Sequence, residues 1–143
     1  MAIGIATAAC RQGFKVRFFT VAELINELRA AHQENRLNRV MRQWLKYDLL
    51  VLDELGYVPF DQMSAQLFFQ VVAARYERGS VIVTTNLEFG QWVEILGDER
   101  LTAALIDRLT HRAHILVLNG ESYRFRESLK RQGVKTVSRT TEQ

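Results

Sequence analysis

Apolar and polar positions along this chain follow two periods in turn. The run DLLVLDEL (48–55) is apolar almost throughout, and SVIVTTN (80–86) and AHILVL (113–118) repeat that pattern. Runs this short and this apolar predict strands covered on both faces, as in a parallel sheet. KVRFFT (15–20) predicts a further short strand. Between the strands the spacing becomes helical. Residues 2–12 read as the later part of a helix that Gly13 ends. Thr20 and Glu23 form a T-x-x-E capping box that opens a helix buried through Leu24, Ile25 and Leu28. Residues 35–46 continue it or form a second helix, with Leu37, Val40, Met41, Trp44 and Leu45 on one side and Arg36, Arg39 and Arg42 on the other. Residues 61–78 predict a helix capped by Asp61 and stopped by Gly79, its stripe being Met63, Leu67, Phe68, Val71 and Val72. Residues 89–96 and 98–110 are helical, with a break at Gly97. ESYRFRESLKRQ (121–132) extends as strand or helix, and 133–143 predict a disordered tail.

Strands alternating with helices require crossover connections, which makes the sheet parallel and the class α/β. Ligands of such sheets bind beyond the carboxyl ends of the strands. That edge receives Asp53 and Glu54 from one strand, Thr84, Thr85 and Asn86 from the next, and Asn119 from the last. Apolar residues running into Asp-Glu match the Walker B arrangement of nucleotide hydrolases. There Asp53 would hold Mg²⁺, since hard cations select carboxylate oxygen. Glu54 would orient and polarise the attacking water, and Asn86 would position that water or sense the terminal phosphate. A plain strand end whose acids cap the next turn explains Asp-Glu equally well; the T-T-N ending of the adjacent strand favours the metal reading. A carboxylate pair acting together on one substrate is disfavoured, because neighbouring strand residues point to opposite faces.

Composition narrows the class. With 143 residues, 48% hydrophobic and 24% charged, the chain is one ordinary globular domain. No apolar run spans a bilayer, and MAIGIATAAC lacks the basic start of a signal peptide. The single cysteine, Cys10, excludes an internal disulfide, points to a reducing cytoplasm, and reads as a small buried helix residue. The net charge of +3 lies entirely in the tail, since residues 1–120 hold 13 basic and 13 acidic side chains while 121–143 hold 6 and 3. The arginine stripe of 36, 39 and 42 is a solvated face or a phosphate-backbone contact. His111 and His114 lack further ligands for a metal, His32 has no partner, and Trp44 and Trp92 belong to helical stripes. Tyr57, Pro59 and Phe60 shape a turn. Tyr123, Arg124 and Phe125 suit either nucleic acid or burial against the sheet.

YDLLVLDELGYVPF (47–60), SVIVTTN (80–86) and LTAALIDRLTHRAHILVLNGESYRFRESLKR (101–131) together resemble the IstB family. These are ATP-binding helpers of insertion-sequence transposition, related to the helicase loader DnaC within the AAA+ class. The resemblance covers roughly residues 1–132 and implies a partial AAA+ ATPase domain over that range. It implies a three-layer parallel-sheet P-loop NTPase core, ATP and Mg²⁺ as cofactors, DNA and a transposase as partners, and homo-oligomers. Asp53 and Glu54 then match Walker B, and Asn86 matches sensor 1. Arg108 in IDRL matches an arginine finger that acts on ATP held by a neighbouring subunit. An ion pair with Asp107 or a plain surface charge is the competing reading of Arg108.

One part departs from the family. G-x-x-x-x-G-K-[ST] occurs nowhere among the eight glycines. The opening MAIGIATAACRQG resembles the helix that follows that loop, which reads Met1 as an internal start, a truncated gene or a damaged copy. The core is therefore expected to lack its first strand and Walker A loop, and this chain alone to bind ATP weakly or not at all. A DnaC-like loader fragment partnering a replicative helicase shares the same motifs. A non-hydrolysing DNA- or protein-interaction module is the reading from a different class.

Overall fold

The computed structural model describes residues 1–118, and its secondary structure runs α1 (Ala2–Arg11), β1 (Val16–Thr20), α2 (Val21–Gln33), α3 (Leu37–Trp44), β2 (Leu49–Leu55), α4 (Gln62–Arg75), β3 (Ser80–Thr85), a 3₁₀ turn (Phe89–Gln91), α5 (Trp92–Leu96) and α6 (Glu99–Thr110). The chain divides into two units, the first of which is Met1–Ala113. Asn119, Tyr123, Arg124, Phe125 and the tail 133–143 fall outside the described residues.

The three strands form one parallel sheet in the order β1-β2-β3, with Phe18 opposite Val51 and Val51 opposite Ile82. β2 is central and pairs on both edges, so its apolar run is buried from Leu49 to Leu52. Alternation sends Leu50 and Leu52 to one face, where Phe19, Leu24, Leu28, Phe68, Val71 and Leu105 close the main core. Each fully buried Leu or Phe there contributes about 1.5–3 kcal/mol. Both crossovers step in the same direction across the sheet, so right-handedness puts α2 and α4 on that same face, in contact with each other.

Local signals set the helix ends. The Thr20–Glu23 capping box forms in both directions, with the Thr20 N–H donating to Glu23 at 3.0 Å and the Glu23 N–H donating to Thr20 at 3.2 Å. Asp61 caps α4 by accepting the Ser64 N–H at 2.8 Å and pairs with Arg29 at 2.5 Å. Those contacts, the Ser64 hydroxyl foremost and Arg29 next, hold the Asp61 carboxyl well below the usual carboxylate range. Gly97 adopts φ +75° and separates α5 from α6, as its position predicts.

Four expectations are corrected. Residues 113–118 form no strand, and Ile115, Leu116, Val117 and Leu118 are exposed. An apolar run becomes a strand only beside a ladder partner, and no described strand takes that place; the outer edge of β3 is likewise unpaired among the described residues. Cys10 and Met63 are exposed rather than buried, since α1 buries no residue and Met63 stands off the α4 stripe. Helix α4 ends at Arg75, before Gly79, because Tyr76 leaves the helical region and Glu77 turns to φ +58°. No described helix is long and apolar enough to cross a membrane.

Gly79 serves the side chain of Arg75. That guanidinium is buried and makes four bonds to main-chain carbonyls: Trp44 at 3.1 Å, Tyr47 at 2.6 Å, Asp48 at 3.1 Å and Ser80 at 2.9 Å. It thereby ties the end of α3 to the amino ends of β2 and β3. Burial lowers its affinity for the proton while Asp48 raises it. A Cβ on Gly79 would meet the guanidinium carbon at 2.5 Å. The glycine is required for space.

Candidate functional site

Asp53 and Glu54 arrive at the carboxyl end of β2, where the ladder to β3 slips. Leu52 pairs with Val83 and Leu55 with Thr85, so β2 advances three residues while β3 advances two. The extra residue makes a β-bulge. Glu54 sits at φ +65°, a left-handed conformation that costs a non-glycine residue about 1–3 kcal/mol and clusters at functional sites. The strict alternation used to separate the two acids therefore does not hold here. Asp53 continues the face of Leu49 and Val51, away from the main core, and Glu54 is turned out to solvent.

Two threonines of β3 clamp the bulge from either side. The Thr84 hydroxyl donates to Asp53 Oδ1 and accepts the Glu54 N–H at 3.0 Å. The Thr85 hydroxyl donates to the Leu55 carbonyl at 2.7 Å and accepts the Leu87 N–H at 3.1 Å. Gly56 follows at φ +101°, and a Cβ there would meet Leu87 Cδ1 at 2.4 Å. Position 56 therefore needs glycine for its conformation, and a Cβ there would also push the Leu87 side chain aside. The sequence placed both threonines at this edge but carried no sign of which would touch the acids. Two adjacent hydroxyls ending an apolar strand beside Asp-Glu are the signal that was available.

Asn86 lies one residue past β3, exposed at the same edge, and takes part in no side-chain hydrogen bond among the described residues. Tyr57 and Val58 stand exposed beyond Gly56, while Phe60 packs on Phe68 with ring centroids 5.5 Å apart. Trp44 and Trp92 are core residues, as their stripes predict.

Arg108 lies elsewhere. Its guanidinium stacks over the Phe69 ring at 4.9 Å and near Tyr76 at 6.0 Å, and it donates to the Ala104 carbonyl at 3.2 Å. Tyr76 neighbours Arg75, whose partners are the amino ends of β2 and β3. Arg108 thus sits toward the opposite end of the sheet from Asp53, and it forms no ion pair with Asp107 among the described residues. A cleft of about 330 Å³ opens there, lined by Tyr76, Asp107, Arg108, Thr110 and His111. His111 reaches Glu77 at 3.5 Å. On α3, Arg39 and Arg42 are exposed without an ion pair among the described residues, whereas Arg36 pairs with Glu34 at 2.5 Å.

The donor set at Asp53 suits Mg²⁺ better than an all-protein metal cage. No group of three or more His, Cys, Asp or Glu converges among the described residues. Mg²⁺ ordinarily takes one or two carboxylates and fills its octahedron with water and phosphate oxygens. Thr84 occupies only Oδ1 of Asp53; Oδ2 accepts no bond among the described residues and is free for such a cation.

The family model for IstB-like ATP-binding proteins matches residues 1–131. The ATP-binding protein of insertion sequence IS5376 from Geobacillus stearothermophilus is 46% identical over 127 residues, covering 89% of this chain and 51% of the relative. That of IS21 from Pseudomonas aeruginosa is 41% identical over 140 residues, covering 98% of this chain and 52% of the relative. The chain thus spans about half the length of the curated relatives it matches. Among solved structures, the DnaC helicase loader superposes with a TM-score of 0.60 at 21% identity, over 75% of this chain and 66% of that one. AMPPCP-bound DnaA from Aquifex aeolicus superposes with a TM-score of 0.65 at 16% identity, over 93% of this chain and 41% of that one. The fold of this chain is shared with those structures, and its parallel sheet is the α/β class that the order of elements predicts.

Proposed function

The chain belongs to the family of IstB-like ATP-binding proteins, and we propose that it is the Walker B-bearing part of a helper ATPase for DNA transposition. The delivery of Asp53 and Glu54 on a bulged central strand, beside the T-T-N end of β3, carries this reading. Asp53 would hold Mg²⁺ through Oδ2. Bound Mg²⁺-ATP would supply an electrophilic terminal phosphate, and the Glu54 carboxylate would orient and polarise the attacking water. Asn86, exposed at the same edge, would donate to the terminal phosphate or to that water. Arg108 packs against Phe69 and Tyr76, toward the other end of the sheet from Asp53. Its role would be exercised on ATP held by a second copy, where the guanidinium offsets charge on the transferring phosphoryl group. That role makes a homo-oligomer part of the proposal, with a transposase as the protein partner.

The amides, lysine and hydroxyl of a phosphate-binding loop are absent from this sequence, and Asp53 cannot replace them. Calorimetry of Mg²⁺-ATP into the 143-residue chain is therefore expected to show no micromolar binding. One-to-one micromolar binding would overturn the requirement for that loop. This same absence favours the second reading, a non-hydrolysing interaction module, for the chain on its own. The helicase-loader reading rests on a fold likeness at 21% identity, whereas an insertion-sequence relative reaches 46%; the transposition role is preferred on that difference.

DNA is the nucleic-acid partner in this proposal, and Arg39 and Arg42 on the open face of α3 are its phosphate contacts. Anisotropy of a labelled duplex across a salt series should show weaker binding for Arg39→Ala/Arg42→Ala, with the log–log salt slope reduced by about two, near one per lost contact. An unchanged slope would remove α3 from the interface.

A further inference from the structure

We propose that Thr84 is the positioning residue of the acid pair, its one hydroxyl bonding the Asp53 carboxylate and the Glu54 N–H together so that Asp53 keeps a single oxygen for a cation. The inference deepens the proposed function and rests on Asp53 being the cation ligand.

The geometry separates two duties between two neighbouring threonines. Thr85 bonds the Leu55 carbonyl and the Leu87 N–H, main-chain groups that lie past the bulge. Its role is to hold the strand end. Thr84 alone reaches an acid side chain. A hydroxyl has one proton to donate, and that proton goes to Asp53 Oδ1. One of its lone pairs takes the Glu54 N–H at 3.0 Å, the group that the bulge removes from the ladder. The carboxylate is thereby held through Oδ1, with Oδ2 accepting no bond among the described residues, and the Glu54 backbone is held in its left-handed turn by the same hydroxyl. Thr84 joins the ligand for the cation to the backbone of the residue that would handle the water. Asn86, the polar residue that sequence alone favoured on this strand, makes neither contact.

The chemistry makes the exchange of side chains informative. Serine keeps both the proton and the lone pair. Valine keeps the branched shape suited to a strand and removes both. Outer partners of a metal-binding carboxylate typically change affinity by about 10- to 100-fold when lost.

The test is a Mn²⁺ titration of the ¹⁵N-labelled 143-residue chain, read as paramagnetic broadening of the amides at 53, 54, 84 and 85. Wild type is expected to broaden selectively there, and Asp53→Asn to lose the selectivity. Thr84→Ser should titrate with wild type, and Thr84→Val about 10-fold or more weaker. Hydrogen exchange of the Glu54 amide should be slow in wild type and Thr84→Ser and fast in Thr84→Val, with the amides of Leu50 and Leu105 unmoved. Thr84→Ala provides the same comparison should valine disturb the ladder. If neither hydroxyl-free variant weakens the titration while Asp53→Asn abolishes it, Thr84 has no positioning role and the cation reading stands. If Asp53→Asn broadens like wild type, the cation reading itself falls and takes this inference with it.

Discussion

Replacing Arg75 with alanine is expected to cost about 3–5 kcal/mol, since buried carbonyls left without a donor cost about 1–3 kcal/mol each. In a unit of this size that lowers the thermal midpoint by about 10–20 °C. The four carbonyls of Trp44, Tyr47, Asp48 and Ser80 would lose their donor in a place sealed from water, where Arg75 itself is only 2% exposed. Lysine should recover little. Its ammonium is a compact point with three donors, whereas the guanidinium spreads its donors in a plane wide enough to span two strand ends and a helix end. Gly79→Ala should reproduce part of the loss from the other side, by driving a Cβ into the guanidinium. Circular-dichroism melts of the three variants provide the check. An Arg75→Ala protein melting within a few degrees of wild type would mean that water replaces the guanidinium at the strand ends.

Arg75 also shows where reading the sequence reaches its limit. Its position was visible in the spacing: it follows Phe68, Val71 and Val72 on the α4 stripe, where an apolar residue belongs. A charged residue at the end of a stripe reads as the start of the surface unless the strand ends below it are known, and those are non-local. The same reason separates the other successes from the failures. The Thr20–Glu23 box and the Asp61 cap were legible because each is settled within four residues. The central strand was legible because β2 has neighbours on both sides, as its unbroken apolar run requires. Residues 113–118 carry a similar run, yet apolarity specifies faces and leaves unstated which strand supplies the ladder. Cys10 was judged from helix membership alone, and α1 leaves all its positions at least partly open. At the candidate site, Asp53 and Glu54 were legible as a short motif. The bulge that turns them was hidden, since register belongs to a pair of strands. So was the choice of Thr84 over Asn86 as the residue that touches them.

The bulge gives the two acids separate fates on mutation, and a longer form of the chain that carries a preceding phosphate-binding loop is the setting in which they should separate. Glu54→Gln in that protein is expected to lower kcat for ATP by about 100-fold or more while nucleotide affinity stays near wild type. Glutamine matches glutamate in size and can occupy the same left-handed turn, so the strand and Asp53 are undisturbed. What it loses is the charge that would polarise the water. Asp53→Asn should act earlier, weakening Mg²⁺-nucleotide binding itself, because an amide oxygen is a poor replacement for carboxylate at a hard cation. Labelled-nucleotide titrations beside steady-state hydrolysis would resolve the two effects. Undiminished turnover in Glu54→Gln would refute its role toward the water. Equal loss of binding in both variants would show that the bulge holds one shared anionic site, with the two carboxylates acting as a unit despite the clamp that sets them apart.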